Sequence, residues 1–192
     1  WENEQYFRAA EEKFAALLSE YTSSEGLQQT LWQKQEDNIP LYGYGSKTYM
    51  IGMADAAMEL CGGTLPEHIY YGIKDIIKNL AFHELEIIDG VVETLEALQG
   101  RYTLIVATKG DLPEQMGKFR TSGLAKYFHH CEVMENKDEK NWLELIAKHD
   151  IKPDELLMIG NSVKSDIAPV VGIGGWAIHT PHDIVWVHEM MD

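Results

Sequence analysis

Leu156-Leu-Met-Ile-Gly-Asn-Ser-Val-Lys-Ser-Asp166 is a short apolar run that breaks at Gly160 and ends on a carboxylate. A buried strand that empties into a polar loop with an acid at its far end is where open α/β sheets place their chemistry. The stretch therefore predicts a parallel α/β architecture and marks the strongest functional signal in the chain. Each part of it also has a plainer reading. Gly160-Asn161-Ser162 can be a simple turn, with Ser162 or Ser165 capping the helix that follows. Asp166 can be favoured by the dipole of that helix alone.

Working back from this stretch, residues 86–192 alternate between strand and helix patterns. Strands are predicted at 102–107, 130–134, 156–159 and 176–179. Asp89 can cap a helix reaching Leu98, with Gly100 just past its end. Asp111 caps the next helix, Gly123 follows it, and further helices fall at 138–148 and 165–171. Strands alternating with helices predict parallel βαβ units and a doubly wound, Rossmann-like sheet.

Residues 1–85 read differently, with no convincing strand. Phe7, Ala10, Phe14, Leu17 and Leu18 fall on one helical face, away from Glu2, Glu4, Glu11, Glu12 and Lys13. Further helices are predicted at 25–37, 46–60 and 66–80, the first stopped near Pro40 and the second at Cys61-Gly62-Gly63. The chain thus divides into a mainly helical part, 1–85, and an α/β core, 86–192.

The 192 residues suffice for one domain with a large insertion or for two small ones, and 45% are hydrophobic. No apolar stretch approaches the length of a bilayer span. A formal charge of −15 argues against nucleic acid and anionic membrane as partners. It leaves an anionic small molecule open, because a few groups dominate the field inside a cleft. Cys61 and Cys131 have neither metal-ligand spacing nor a disulfide framework, which fits a reducing cytoplasm. His129-His130 and the group His179, His182 and His188 show no spacing that assembles a metal site.

In a parallel sheet, residues just past the carboxyl ends of the strands converge on one crevice. Three loops here carry suitable groups. Val106-Ala-Thr108-Lys-Gly110-Asp111 offers a hydroxyl at a strand tip, with Lys109 beside it and backbone N–H groups opening towards a helix. Glu135-Asn-Lys137-Asp-Glu-Lys140 brings an ammonium to the same rim, with Lys140 the second candidate. Asp166 supplies a hard oxygen for a divalent cation. Singly, Thr108 reads as a strand-end cap and Lys137 as part of a solvated charged run. Their order at successive strand ends describes a phosphoryl-transfer site.

Thr108, Lys137 and Gly160-Asn-Ser-x-x-Ser-Asp166 resemble the second, third and fourth motifs of the haloacid dehalogenase-like (HAD) superfamily, over nearly the whole chain. Glu135-Asn-Lys137 with Trp142 is similar to the lysine segment of its phosphatase-like branch, and Tyr42-Gly-Tyr-Gly-Ser-Lys47 resembles part of that branch's inserted helical cap. The resemblance implies a magnesium (Mg2+)-dependent phosphohydrolase acting on a small phosphorylated metabolite through an aspartyl-phosphate. Thr108, Lys109 and Lys137 would hold the phosphoryl group. Asp166 would hold the metal, with a weaker or water-mediated link from Asn161, where many relatives carry aspartate. Tyr42, Tyr44 and Lys47 would face the substrate when the cap closes. A metal-independent haloacid dehalogenase and a non-catalytic binding module are the alternatives.

The family's nucleophile and acid/base belong to an Asp-x-Asp segment at the end of a first strand, and no such strand lies within the chain. In the resembled fold that strand sits between those at 102–107 and 156–159. Leaving it out strands buried backbone groups at about 1–3 kcal/mol each, against a domain stability of roughly 5–15 kcal/mol. The sequence therefore predicts a strand upstream of Trp1 and no direct pairing of its two neighbours. The C-terminal Glu189-Met-Met-Asp192, just past the last strand, is expected to be followed by more chain.

Overall fold

Hydrophobic periodicity sets the helices of the N-terminal half: α1 (Glu4–Leu17), α2 (Ser24–Tyr42), α3 (Ser46–Leu60) and α4 (Glu67–Ala81). This is a computed structural model, and it describes residues 4–181. On α4, Ile69, Ile73, Ile76, Ile77 and Leu80 recur at helical spacing and are all buried. They share one core with Phe14, Leu18, Leu27, Leu31 and Met53. Gln35 and Asn38 continue the buried stripe of α2 in polar form. Gln35 donates to the Tyr49 carbonyl at 3.2 Å, and Asn38 donates to Asp55 at 2.9 Å. A Cβ at Gly52 would collide with the Gln35 amide, so α2 and α3 approach closely there.

α2 does not stop before Pro40; it runs to Tyr42 with the proline in its last turn. Proline breaks a helix by removing a donor and crowding the carbonyl one turn back. So near the end, few bonds remain to be lost. Gly43, at φ +74°, then closes the helix with its N–H on Ile39 O. α5 (Val91–Leu98) begins later than Asp89, because Gly90 at φ +81° intervenes.

In the second half, β1 (Ile105–Lys109), α6 (Leu112–Thr121), β2 (His130–Met134), α7 (Glu139–Lys148), β3 (Leu157–Gly160), α8 (Ala168–Gly172) and β4 (Trp176–His179) follow in order. β1 starts three residues later than 102–107 predicts, since Tyr102 is spent on an isolated bridge to Gln99 around Gly100. The helix predicted at 165–171 is instead a π-helical turn, Val163–Ile167, running into α8. Ser162 is its N-cap, and Pro169 sits in the first turn of α8.

The strands form two parallel pairs. Ile105 lies opposite His130 and Lys109 opposite Met134, while Leu157 lies opposite Trp176 and Gly160 opposite His179. Among the described residues β1 and β3 are not paired with each other, so one continuous doubly wound sheet is not what they form. Both pairs nevertheless serve one core. Ala107 of β1, Met134 of β2 and Met158 of β3 pack with Trp142, Leu145 and Ile146 of α7 and Val170 of α8. The other face of β3–β4 leaves Leu157, Ile159, Trp176 and Ile178 exposed.

Two units result. A helical unit comprises the chain up to Leu98 together with Gly110–Tyr127, and an α/β unit comprises Gln99–Lys109 and the chain from Phe128. Among the described residues no helix is long and apolar enough to cross a membrane. Trp1, His182, Trp186, His188 and Glu189-Met-Met-Asp192 lie outside the described residues.

Candidate active site

β1 delivers Thr108 and Lys109 at its carboxyl end. β2 ends at Met134, and a short loop reaches Lys137 before Asp138 caps α7 by accepting from Asn141 N at 2.9 Å. β3 ends at Gly160, after which Ser162 caps the π-helical turn by accepting from Ser165 N at 3.0 Å. Three strand ends thus present the hydroxyl, ammonium and carboxylate groups that the sequence marks.

Lys137 and Asp166 meet. Lys137 Nζ lies 2.6 Å from Asp166 Oδ1, and the two side chains are only 10% and 5% exposed. Asp166 Oδ2 accepts from Ser162 N at 3.1 Å. One carboxylate oxygen of Asp166 thus faces Lys137, and the other faces the N-terminus of the π-helical turn, where the helix dipole also favours it. A Cβ at Gly160 would collide with this carboxylate, which explains the glycine where β3 ends. A buried ion pair recovers its desolvation cost only with good geometry and further hydrogen bonds. Here Asp166 has such a further bond, from Ser162 N.

Lys109 is tied into the same network. Its ammonium donates to Ser165 Oγ at 3.0 Å. Ser165 O in turn accepts from the indole N–H of Trp142 at 3.1 Å. Thr108 is the residue before Lys109, and its hydroxyl donates to Lys109 O at 3.3 Å. The Asn161 side chain is exposed, while its carbonyl accepts from His179 Nε2 at 3.1 Å. Lys140, the second candidate lysine, points to solvent at 81% side-chain exposure and lies 3.8 Å from Glu144. The structure thus chooses Lys137 over Lys140 as the lysine beside Asp166.

Ser165 is the residue that the sequence reading placed only as a capping alternative. It joins β1, α7 and the Asp166 loop through its side chain, N–H and carbonyl. The Ser162-x-x-Ser165 spacing was the available signal, but it predicts a cap and says nothing about Lys109.

The donor set suits magnesium better than a softer metal. Asp166 offers a hard carboxylate oxygen, while the Asn161 side chain is exposed and the His179 imidazole lies against the Asn161 carbonyl. Magnesium is commonly held through one or two carboxylates with water and substrate phosphate. Among the described residues no group of three or more His, Cys, Asp or Glu could hold a metal ion.

Lys47 and His129, also singled out by the sequence, are engaged in other contacts. In the helical unit, Lys47 pairs with Asp111 at 2.9 Å, and Ser46 donates its N–H and hydroxyl to Glu114 at 3.2 and 2.7 Å. In the α/β unit, His129 Nδ1 accepts from Leu104 N at 3.0 Å. His149 Nε2 donates to Glu132 at 2.8 Å, and its ring lies 4.3 Å from that of His130. Burial works to raise the Glu132 carboxyl, but hydrogen bonds from Lys148 and His149 override it and hold it below the usual range.

Comparison with known proteins gives the chain's family. A family model described as haloacid dehalogenase-like hydrolase matches residues 3–173. A haloacid dehalogenase-like family hydrolase from Xanthomonas campestris is 36% identical at a TM-score of 0.89, over 94% of this chain and 76% of that one. A 2-haloacid dehalogenase from Pseudomonas syringae shares the fold at 20% identity and a TM-score of 0.65, over 97% and 84% of the two chains. A predicted phosphoglycolate phosphatase from Haemophilus somnus does so at 17% identity and a TM-score of 0.58, over 88% and 76%. The search of curated proteins finds no match. With strand-end Thr108, a buried Lys137–Asp166 pair and a match of this extent, the chain belongs to the haloacid dehalogenase-like hydrolase family.

Proposed function

We propose that the chain is part of a magnesium-dependent phosphohydrolase that acts on a small phosphorylated metabolite in the cytoplasm. The buried Lys137–Asp166 pair at the strand ends carries this reading. In it, the phosphoryl group passes from the metabolite to an aspartate of the enzyme and then to water. Thr108 donates its hydroxyl to a phosphoryl oxygen. Lys137 offsets the charge of the nucleophile and of the phosphoryl oxygens while it moves. Asp166, with Asn161 on the same loop, would hold magnesium, which when bound would supply Lewis-acid stabilisation of that charge.

One observation favours the rival, a metal-independent haloacid dehalogenase. Both Asp166 oxygens already have partners in Lys137 and Ser162, and Asn161 stands where a second carboxylate would strengthen a metal site. A single pair of assays on the intact natural protein separates the two. Hydrolysis of phosphate esters that stops with EDTA and returns with magnesium supports the phosphatase, and Asp166→Ala is expected to abolish it. Halide release from a 2-haloacid in the presence of EDTA supports the rival. Silence in both assays points to a binding module.

A further inference from the structure

We propose that Lys109 is a positioning residue that sets the magnesium affinity of Asp166 through Ser165, and is not a ligand of the phosphoryl group. The inference rests on the phosphohydrolase reading above. It starts from the sheet. Among the described residues no ladder joins β1 to β3. A side chain reaches from β1 to the loop that carries Asp166. Lys109 is the last residue of β1, and its ammonium donates to Ser165 Oγ at 3.0 Å.

Ser165 is well placed to pass this contact on. It is buried, and each of its polar groups is engaged: its N–H by Ser162 Oγ, its hydroxyl by Lys109 and its carbonyl by Trp142. Asp166 is the next residue along, so any shift of the Ser165 peptide moves the base of the carboxylate. Asp166 is also held at its far end by Lys137 and Ser162 N. Lys109 supplies a contact to this set from β1. Groups that hold a metal ligand from behind change metal affinity or activity by about 10- to 100-fold when removed.

Charge makes the proposal separable from its competitor. Removing a cation near a metal site should by Coulomb's law strengthen magnesium binding. Weaker binding in a lysine-less variant must then come from lost position. The experiment takes the intact natural protein with Lys109→Met, Ser165→Ala and the double variant. Magnesium chloride is titrated calorimetrically without substrate, p-nitrophenyl phosphate turnover is followed alongside, and thermal melts check folding. The expected result is a magnesium Kd weakened about tenfold in each single variant and no further in the double. kcat at limiting magnesium should fall while KM stays near wild type.

Wild-type magnesium binding in Ser165→Ala would overturn the proposal, and a rise in KM confined to Lys109→Met would make Lys109 a phosphoryl ligand. Tighter magnesium binding in Lys109→Met would reduce its role to charge alone and overturn the proposal as well. A wild-type protein that binds no magnesium would overturn the phosphohydrolase reading itself, and this proposal with it.

Discussion

The two units bury polar groups in opposite ways. In the helical unit they are dispersed and paired for packing: Gln35 with a carbonyl of α3, Asn38 with Asp55, Ser46 with Glu114. In the α/β unit the buried Ser162, Ser165 and Asp166 fall on a single loop, and Lys109, Lys137 and Trp142 reach it from three other places in the chain. Dispersed pairs satisfy a helix seam, whereas convergence of charge and hydroxyl on one strand end needs another explanation. The difference teaches that burial of polar groups alone does not mark a site. Convergence at the carboxyl ends of strands does.

The largest effects should come from the two cores, where the units behave alike. Phe14→Ala in the helical unit and Trp142→Ala in the α/β unit each remove a ring that is at most 1% exposed. Each should cost about 3–5 kcal/mol in denaturant unfolding. Trp142→Ala should also lower turnover in folded protein, because it frees the Ser165 carbonyl, while Phe14→Ala should act through stability alone. Equal kinetic damage from both would break the contrast.

Next is Lys137→Met, set against Lys140→Met. The first leaves a buried carboxylate without its cation and should cost about 3–5 kcal/mol, with turnover down about 100- to 1,000-fold. The second removes a surface ion pair worth about 0–1 kcal/mol and should leave turnover unchanged. Comparable losses from the two would remove Lys137 from the site.

Acid should then move the units in opposite directions. Glu132 in the α/β unit has its carboxyl held below the ordinary value of 4.5. The stability it contributes is present above that value and is lost as pH falls through the lower folded value. Glu11 in the helical unit is raised above 4.5, by burial first, against a hydrogen bond from Tyr49 and the charge of Arg8. It therefore burdens the helical unit at neutral pH, and the burden lifts as pH falls through its raised folded value towards 4.5. Hydrogen exchange from pH 7 to about 3 should show the two slopes, and Glu11→Gln and Glu132→Gln should each flatten one of them. Parallel slopes in both units would refute the assignment.

The smallest effect belongs to Asp150, which follows α7 at φ +53°. Asp150→Gly should raise stability by about 0.5 kcal/mol, since relief of left-handed strain is partly offset by the freedom of glycine in the unfolded chain. A fall in melting temperature would show that the aspartate side chain earns its position by a contact.

The sequence carried much of this. Helical periodicity placed α3 and α4 within a residue or so, because Gly62-Gly63 and Pro66 punctuate them clearly. β2 and β4 were legible to the residue from their apolar runs. Pro40 misled, since its effect depends on how much helix follows it, which local sequence does not state. The start of β1 was missed because Tyr102 is as apolar as a strand residue yet lies in a turn. Thr108, Lys137 and Asp166 could be picked out by their places at strand ends. Ser165 could not be given its part, because the contact with Lys109 spans 56 positions and leaves no local mark.

The exposed apolar face of β3–β4 has a colloidal consequence. Every copy carries Leu157, Ile159, Trp176 and Ile178 on its surface together with a formal charge of −15. Like-charge repulsion acts over roughly 10 Å at 0.1 M salt and shortens as salt rises. Copies of the chain are therefore held apart by charge and drawn together by that face. Salting or acidification should bring on association before any unfolding is seen.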